Sequence, residues 1–518
     1  MTTEARLFDP RQYGIDNLNS TGRLLPERSR GLQERFIGMM CGLTTCVPDS
    51  RFLLAPEMTR KQALTLAEKA IGSDDQLAMQ ELNNLIESHS NNLHLQLCEI
   101  FNEDPNDCGT VHGNTASELF AEVNARLRYN PNPQPNEGYF MGKVLTFKRG
   151  GRVVNKALAG GDIREDDSIN YVPATNLFAP PRAPRTSKSV PELIDLIFID
   201  TDHAPIGHPG DAYFIEEGTS EEIFDQYSDQ LLIRQIEEKL AQNQNIRLIL
   251  IPIVDALGRI WPWKDIAKIV DIENEKREKS GQPPIFKLLN AVQALGRVET
   301  GDLQKPLDYY DAVVSVSYKG LGGAMNTASL LARKNILQKL YSPGKILPWY
   351  IEEFDAAYRT PLYCSQKENL EGAITIPEIH SYQLALKDYY TRGTGKSFAE
   401  RRLFMNQVIN RVRTRLISSL NNKFFVMEKH DGFRLSPSII CFGLKNGKDV
   451  SQQISTAEMI KQKAYNMAPA LVLSGNVGPV LRISIPEYYF AKFGGGEDFL
   501  NKMVDFAADT INKIIPND

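Results

Sequence analysis

Apolar residues recur along this chain with two different periods, and the change between them marks its organisation. From Lys61 to Asn102, Leu64, Leu66, Ala67, Ala70, Leu77, Leu82, Leu85 and Ile86 fall at helix-like intervals, the spacing that lays one face against a core. From Val190 to Arg333 the text shifts to short β-rich runs at Leu193–Ile199, Ile246–Val254, Ile285–Leu289 and Ala312–Val316. Helical patterns over Glu221–Gln242 and Trp263–Lys279 separate the first three of these runs. Continuous apolar strands spaced by helices predict a parallel sheet covered on both faces, hence an α/β domain of doubly wound type. Beyond Lys334 come long helical patterns (Ile379–Tyr390, Ala399–Asn421), strands at Ser438–Leu444 and Val480–Ile485, and a closing helix over Glu497–Ile515. That succession predicts a smaller α+β lobe.

One stretch fits neither pattern. Residues Tyr129–Lys188 hold Asn-Pro-Asn-Pro-Gln-Pro, then Pro180, Pro181 and Pro184. A single hairpin is expected there, from Val144 to Val154 with its turn at Gly150-Gly151, because paired glycines between β-rich runs favour a tight reversal. The expected organisation is a segment 1–70 packing with the small lobe, a large domain 71–335 carrying an insertion at 129–188, and a small domain 336–518.

Composition narrows the classes of function. The 518 residues carry 59 Lys+Arg against 64 Asp+Glu, a formal charge of −5, with 42% apolar residues. This is an ordinary globular balance, unlike that of a disordered chain or a disulfide scaffold. It argues against nucleic-acid binding through bulk positive charge. Six cysteines form no Cys-x-x-Cys pair, so a reducing cytoplasm is the expected setting and a zinc site is not expected. The start Met-Thr-Thr-Glu-Ala-Arg has no apolar core behind a basic end, and no apolar run approaches 18 residues, so neither a signal peptide nor membrane association is expected. The basic stretch Arg401–Arg415 reads as a solvated helix face.

In open α/β sheets ligands sit at the carboxyl ends of strands. Four such ends carry polar residues: Thr201-Asp202-His203, Asp255 to Gly258, Asn290-x-x-Gln293-x-x-Gly296, and Ser315-Val-Ser317-Tyr318-Lys319 followed by glycines. A lysine at the end of a buried strand is unusual. Desolvation favours its neutral amine, the form that attacks a carbonyl. Upstream, Gly113-Asn114-Thr115 opens a helix in which Thr115 and Glu118 fit a capping box. Free N–H groups and a hydroxyl at such a start suit a phosphate.

The order of these pieces resembles the aminotransferase class V family of pyridoxal-phosphate (PLP) enzymes, fold type I, which includes cysteine desulfurases, kynureninases and isopenicillin N epimerase-like proteins. The resemblance covers roughly residues 75–128 and 190–515. It implies a large doubly wound, mostly parallel sheet domain plus a smaller C-terminal lobe, PLP as cofactor, an amino acid or amine as substrate, and a homodimer. It implies that Lys319 holds the cofactor as a Schiff base and that Gly113, Asn114 and Thr115 seat its phosphate, with hydroxyls from Ser317 and Tyr318. His203 matches the ring-stacking position, Gln293 the contact beside the phenolic oxygen, and Arg482 the arginine for the substrate carboxylate, where a planar fork suits a bidentate contact.

Three departures accompany it. Asn290 stands where the family has the aspartate that keeps the pyridine nitrogen protonated, and Asp255 where it often has an asparagine. A neutral Asn290 cannot hold that proton by charge, so a neutral pyridine and a weaker electron sink are expected. Gly372-Ala373 replaces the Gly-Thr of the family's cross-subunit phosphate contact. No cysteine lies between Ala464 and Val480, which disfavours a desulfurase. Transfer, lyase and epimerase chemistry stay open, as do a kynureninase-like C–C hydrolase suggested by Ser317-Tyr318-Lys319 and a non-catalytic binding protein on the same fold.

Overall fold

The computed structural model describes residues 51–72, 75–113, 143–147, 162–163, 169–170, 196–199, 229–244, 246–255, 258–321, 323, 327–341, 372–391, 398–422, 424–426, 434–436, 438–444, 471–472 and 481–484, with helical positions scattered over 116–127 and 501–512. The first described helices are α1 (Arg51–Gly72) and α2 (Gln76–Phe101), which pack against each other. The single helical pattern expected over Lys61–Asn102 is broken between them. Asp75 is the cause: its carboxylate accepts the N–H groups of Leu77 (3.0 Å) and Ala78 (3.2 Å), capping a fresh helix start. Asn102 ends α2 in the left-handed conformation at φ 54°, which asparagine tolerates.

A seven-stranded sheet forms the centre. Its strands are β1 (Cys108–Gly113), β2 (Lys143–Phe147), β3 (Leu196–Ile199), β4 (Ile246–Pro252), β5 (Phe286–Asn290), β6 (Ala312–Val316) and β7 (Ala328–Arg333). They lie in the order β1–β7–β6–β5–β4–β2–β3. Strand β7 runs antiparallel to both neighbours, and the other adjoining pairs are parallel. Parallel neighbours need crossovers; α3 (Asp229–Gln242) links β3 to β4 and α4 (Trp263–Lys279) links β4 to β5. Consecutive residues Leu248, Ile249, Leu250 and Ile251 are all buried, as are Ala312 to Val316. Successive side chains point to opposite faces, so both faces of the sheet are covered, and each buried Leu or Ile contributes about 1.5–3 kcal/mol. The α/β reading of the sequence holds.

One sequence expectation is corrected here. The β-rich run near Val144 does not pair with the run that follows Gly150-Gly151. Both edges of β2 are taken, by β3 and by β4, in parallel register (Val144↔Leu196, Val144↔Leu248). Pairing within a buried sheet outweighs the local turn signal of Gly150-Gly151. Residues 143–147 therefore belong to the main sheet, and the proline-rich stretches on either side lie outside the described residues.

After β7 come α5 (Lys334–Tyr341), α6 (Gly372–Thr391) and α7 (Phe398–Ser419). Helix α6 packs against α1 and α2, with Thr59 hydrogen-bonded to His380 (2.8 Å) and His89 to Gln383 (2.9 Å). Strands β8 (Phe424–Val426), β9 (Ile439–Leu444), β10 (Leu471–Val472) and β11 (Leu481–Ser484) make a second sheet ordered β8–β9–β11–β10, antiparallel throughout. On α7 the basic face is mixed: Arg415 pairs with Asp505 at 2.7 Å, but Arg413 is buried. Among the described residues no helix is long and apolar enough to cross a membrane, and no group of three His, Cys, Asp or Glu is placed to hold a metal ion.

Candidate functional site at the carboxyl edge of the sheet

Strands β4, β5 and β6 are parallel neighbours, so the loops leaving their carboxyl ends emerge along one edge. Asn290 is the last residue of β5, and Asp255, Gln293, Ser317, Tyr318 and Lys319 lie on those loops. Gly113, at the end of β1, is aligned with Ala328 of β7, and Ala328 with Val316 of β6. The edge is thus shared by four of the segments singled out from the sequence.

The Asn290 loop and the Lys319 turn are in contact. Gly296 takes φ +74°, and a Cβ there would meet the Gly320 carbonyl oxygen at 2.8 Å. A Cβ on Gly320 would sit 1.9 Å from the Leu295 carbonyl oxygen. Only glycines allow this approach of two backbones. Leu321 N–H donates to the Ser317 carbonyl (3.0 Å) and closes the turn that carries Lys319. The guanidinium of Arg297 donates from Nη2 to the Lys319 carbonyl oxygen.

The polar side chains divide into two groups. Asp255 is 8% exposed, and its carboxylate is engaged by its own turn: Oδ1 accepts the Arg259 N–H (3.0 Å) and Oδ2 the Trp261 indole N–H (3.1 Å). Asn290 Oδ1 accepts the Val292 N–H (3.0 Å), which assigns its oxygen to the backbone and leaves the Nδ2 donor as the other end of the amide. By contrast, Gln293 Oε1 and Ser317 Oγ are buried with no hydrogen-bond partner. An unsatisfied buried polar atom costs about 1–3 kcal/mol, and these two lie on the loops that leave β5 and β6.

Other candidates fall elsewhere. His203, Asn114 and Thr115 lie outside the described residues. Strand β1 runs to Gly113 and Ala116 is helical; a Cβ on Gly113 would meet Leu119 at 2.9 Å. Arg482 lies on β11, its backbone aligned with Cys441 and Val472, and its side chain is outside the described residues. Gly372 and Ala373 open helix α6. Arg297 was not singled out from sequence, although its place directly after the turn glycine Gly296 was a usable signal.

No protein-family model matches the chain, and no curated protein matches it. Among solved structures it is similar to an alanine–glyoxylate aminotransferase from Nostoc sp., with TM-score 0.49 and 12% identity over 84% of this chain and 88% of that one. It is also similar to a NifS-like protein from Rickettsia africae (TM-score 0.46, 12% identity, 84% and 88% covered). A cysteine desulfurase from Thermococcus onnurineus gives TM-score 0.44 at 11% identity, with 87% and 92% covered. The class of protein is defined here by the strand order and the carboxyl-edge loops rather than by these likenesses: an α/β chain with a mixed seven-stranded sheet.

Proposed function

We propose that the chain is a PLP-dependent enzyme acting on an amino acid or amine, with Lys319 as the residue that bonds the cofactor. The observation that carries this is the pair of buried, unpartnered oxygens, Gln293 Oε1 and Ser317 Oγ, on the loops that meet at the Lys319 turn. A PLP molecule fits that donor and acceptor set. Asn290 Nδ2 would donate to an unprotonated ring nitrogen, Gln293 would meet the phenolic oxygen, and Ser317, with Gly113, Asn114 and Thr115, would hold the phosphate. Bound there, PLP supplies an electron sink for bonds at the substrate's amine-bearing carbon, a weaker one than with a carboxylate at the ring nitrogen.

The chain's own groups then have separate tasks. Lys319 would hold or move a proton at the substrate carbon. Arg482 takes the substrate carboxylate. Asn290 keeps the charge beside the ring neutral. Asp255, engaged by its own turn, shapes the loop. Transfer, lyase and epimerase outcomes share these steps. Assembly as a homodimer belongs to the same proposal.

The test is direct. Protein incubated with PLP should absorb in the visible, and borohydride should fix the cofactor on Lys319, read by peptide mass mapping. A colourless protein with no label at Lys319 overturns the reading. A label that no amino acid or amine in a panel displaces selects a non-catalytic PLP-binding role instead.

A further inference from the structure

The candidate site is tied to the C-terminal part of the chain by backbone and side-chain contacts together. Residues Arg434–Leu435 pair antiparallel with Arg259–Ile260, in the loop region after β4. The next residue, Ser436, donates its N–H to the Gly258 carbonyl (2.7 Å) and its Oγ–H to the Arg297 carbonyl (2.8 Å). Ser438 Oγ lies 3.0 Å from Ser436 Oγ and supports it. Arg297, 0% exposed, passes the connection on through its guanidinium to the Lys319 carbonyl.

A fully buried arginine is an expensive way to fill space, because burying a cation costs far more than burying a hydrocarbon. What it supplies is a charge-assisted hydrogen bond to a turn carbonyl. The recipient is the carbonyl of the lysine itself, on a turn whose glycine, Gly320, already touches the Leu295 backbone. Backbone contact alone sets how near the two loops lie. A donor held on that carbonyl restrains the rotation of the Lys319–Gly320 peptide.

We infer that Arg297 is a positioning residue for Lys319, and that the Arg434–Ser438 segment of the C-terminal lobe sets the lysine's orientation through it. The inference builds on the reading of Lys319 as the cofactor lysine, and its test separates the two. In cofactor-free protein, the rate at which trinitrobenzenesulfonate labels Lys319 is followed by peptide mapping from pH 6 to 10 for wild type, Arg297→Met, Arg297→Lys and Ser436→Ala. Borohydride fixation of PLP and the melting temperature are recorded for each. Arg297→Met is expected to displace the pH profile of Lys319 labelling and lower PLP fixation at least tenfold. Arg297→Lys should recover part of both, and Ser436→Ala should move them in the same direction by less. A folded Arg297→Met protein with the wild-type profile overturns the inference. If Arg297→Met does not fold, Ser436→Ala decides, because it leaves the guanidinium in place: an unchanged profile there overturns it and a displaced one supports it. Should wild type take no PLP while Arg297→Met still displaces the profile, the cofactor reading fails and the positioning role stands.

Discussion

Two polar regions of this molecule each hold buried side chains and behave in opposite ways. At the junction of α2, β1 and β7, His112 is 2% exposed and each ring nitrogen has a partner: Nδ1 meets Ser329 (3.0 Å) and Nε2 meets Ser90 (3.1 Å). His94 beside it reaches Thr110 (2.7 Å) and the Pro105 carbonyl (3.1 Å). At the carboxyl edge of the sheet, Gln293 and Ser317 keep buried oxygens unpaired while glycines and Arg297 hold their backbones tightly. A satisfied polar cluster is architecture, since its groups find all they need within the chain. A rigid cluster with orphaned atoms keeps hydrogen-bonding capacity that the chain does not use. Buried polarity is therefore a poor marker of function until its partners are traced.

The contrast is sharpened by variants from the two regions. The largest effect is expected from Lys319→Ala, which should abolish borohydride-fixed label and lower any turnover by about 10²–10⁴-fold or more; residual label elsewhere at wild-type yield would remove Lys319 from its role. Next, Ser329→Ala strips a fully buried imidazole nitrogen of its partner and should cost about 1–3 kcal/mol in urea unfolding. Acid should act through the same cluster. Burial, with a smaller contribution from His94, holds His112 down at about 3 from 6.5, and burial with His89 holds His380 at about 4. For a histidine depressed in the fold, the unfolded chain binds more protons below about pH 6.5, so stability present above that pH is lost as pH falls. Between pH 6.5 and 5 this amounts to about 2 kcal/mol for His112, from 1.36 kcal/mol per unit. A His112→Asn protein should lose that much of the pH dependence. Glu103, Asp229 and Asp311, raised by burial, act with the opposite sign nearer their own range, and the difference between the two proteins cancels them. The smallest effect is the most diagnostic: Ser317→Ala should leave the cofactor-free protein unchanged or up to about 1 kcal/mol more stable, because it removes an orphaned hydroxyl, while weakening PLP binding. A loss like that of Ser329→Ala would make Ser317 architectural too.

Much of the large sheet is legible from sequence because its strands are continuous apolar runs. Ala312–Val316 was read with its observed bounds, and the run at Ile246–Val254 exceeds β4 by two residues. Strand β1, Cys-Gly-Thr-Val-His-Gly, has no such signal; its extended form comes from pairing with β7, far along the chain. For β2 the run was visible and its partners were not, because a local glycine pair pointed one way and two distant strands decided otherwise. The site divides in the same manner. Asn290, Gln293 and Lys319 could be found as strand-end residues. Arg297 is marked in the sequence only by following Gly296, because the serine that holds its carbonyl lies 139 residues away.

The pairing of Cys108 with Arg333 also sets a schedule for the molecule's birth. Strand β1 has its neighbour only after 333 − 108 = 225 further residues are made, which at about 5–20 residues per second takes roughly 11–45 s. Through that interval β1 and the junction at Gly113 wait on the nascent chain with an open edge, the kind of surface that chaperones cover. The glycine junction at this edge of the site is thus seated among the last parts of the large sheet.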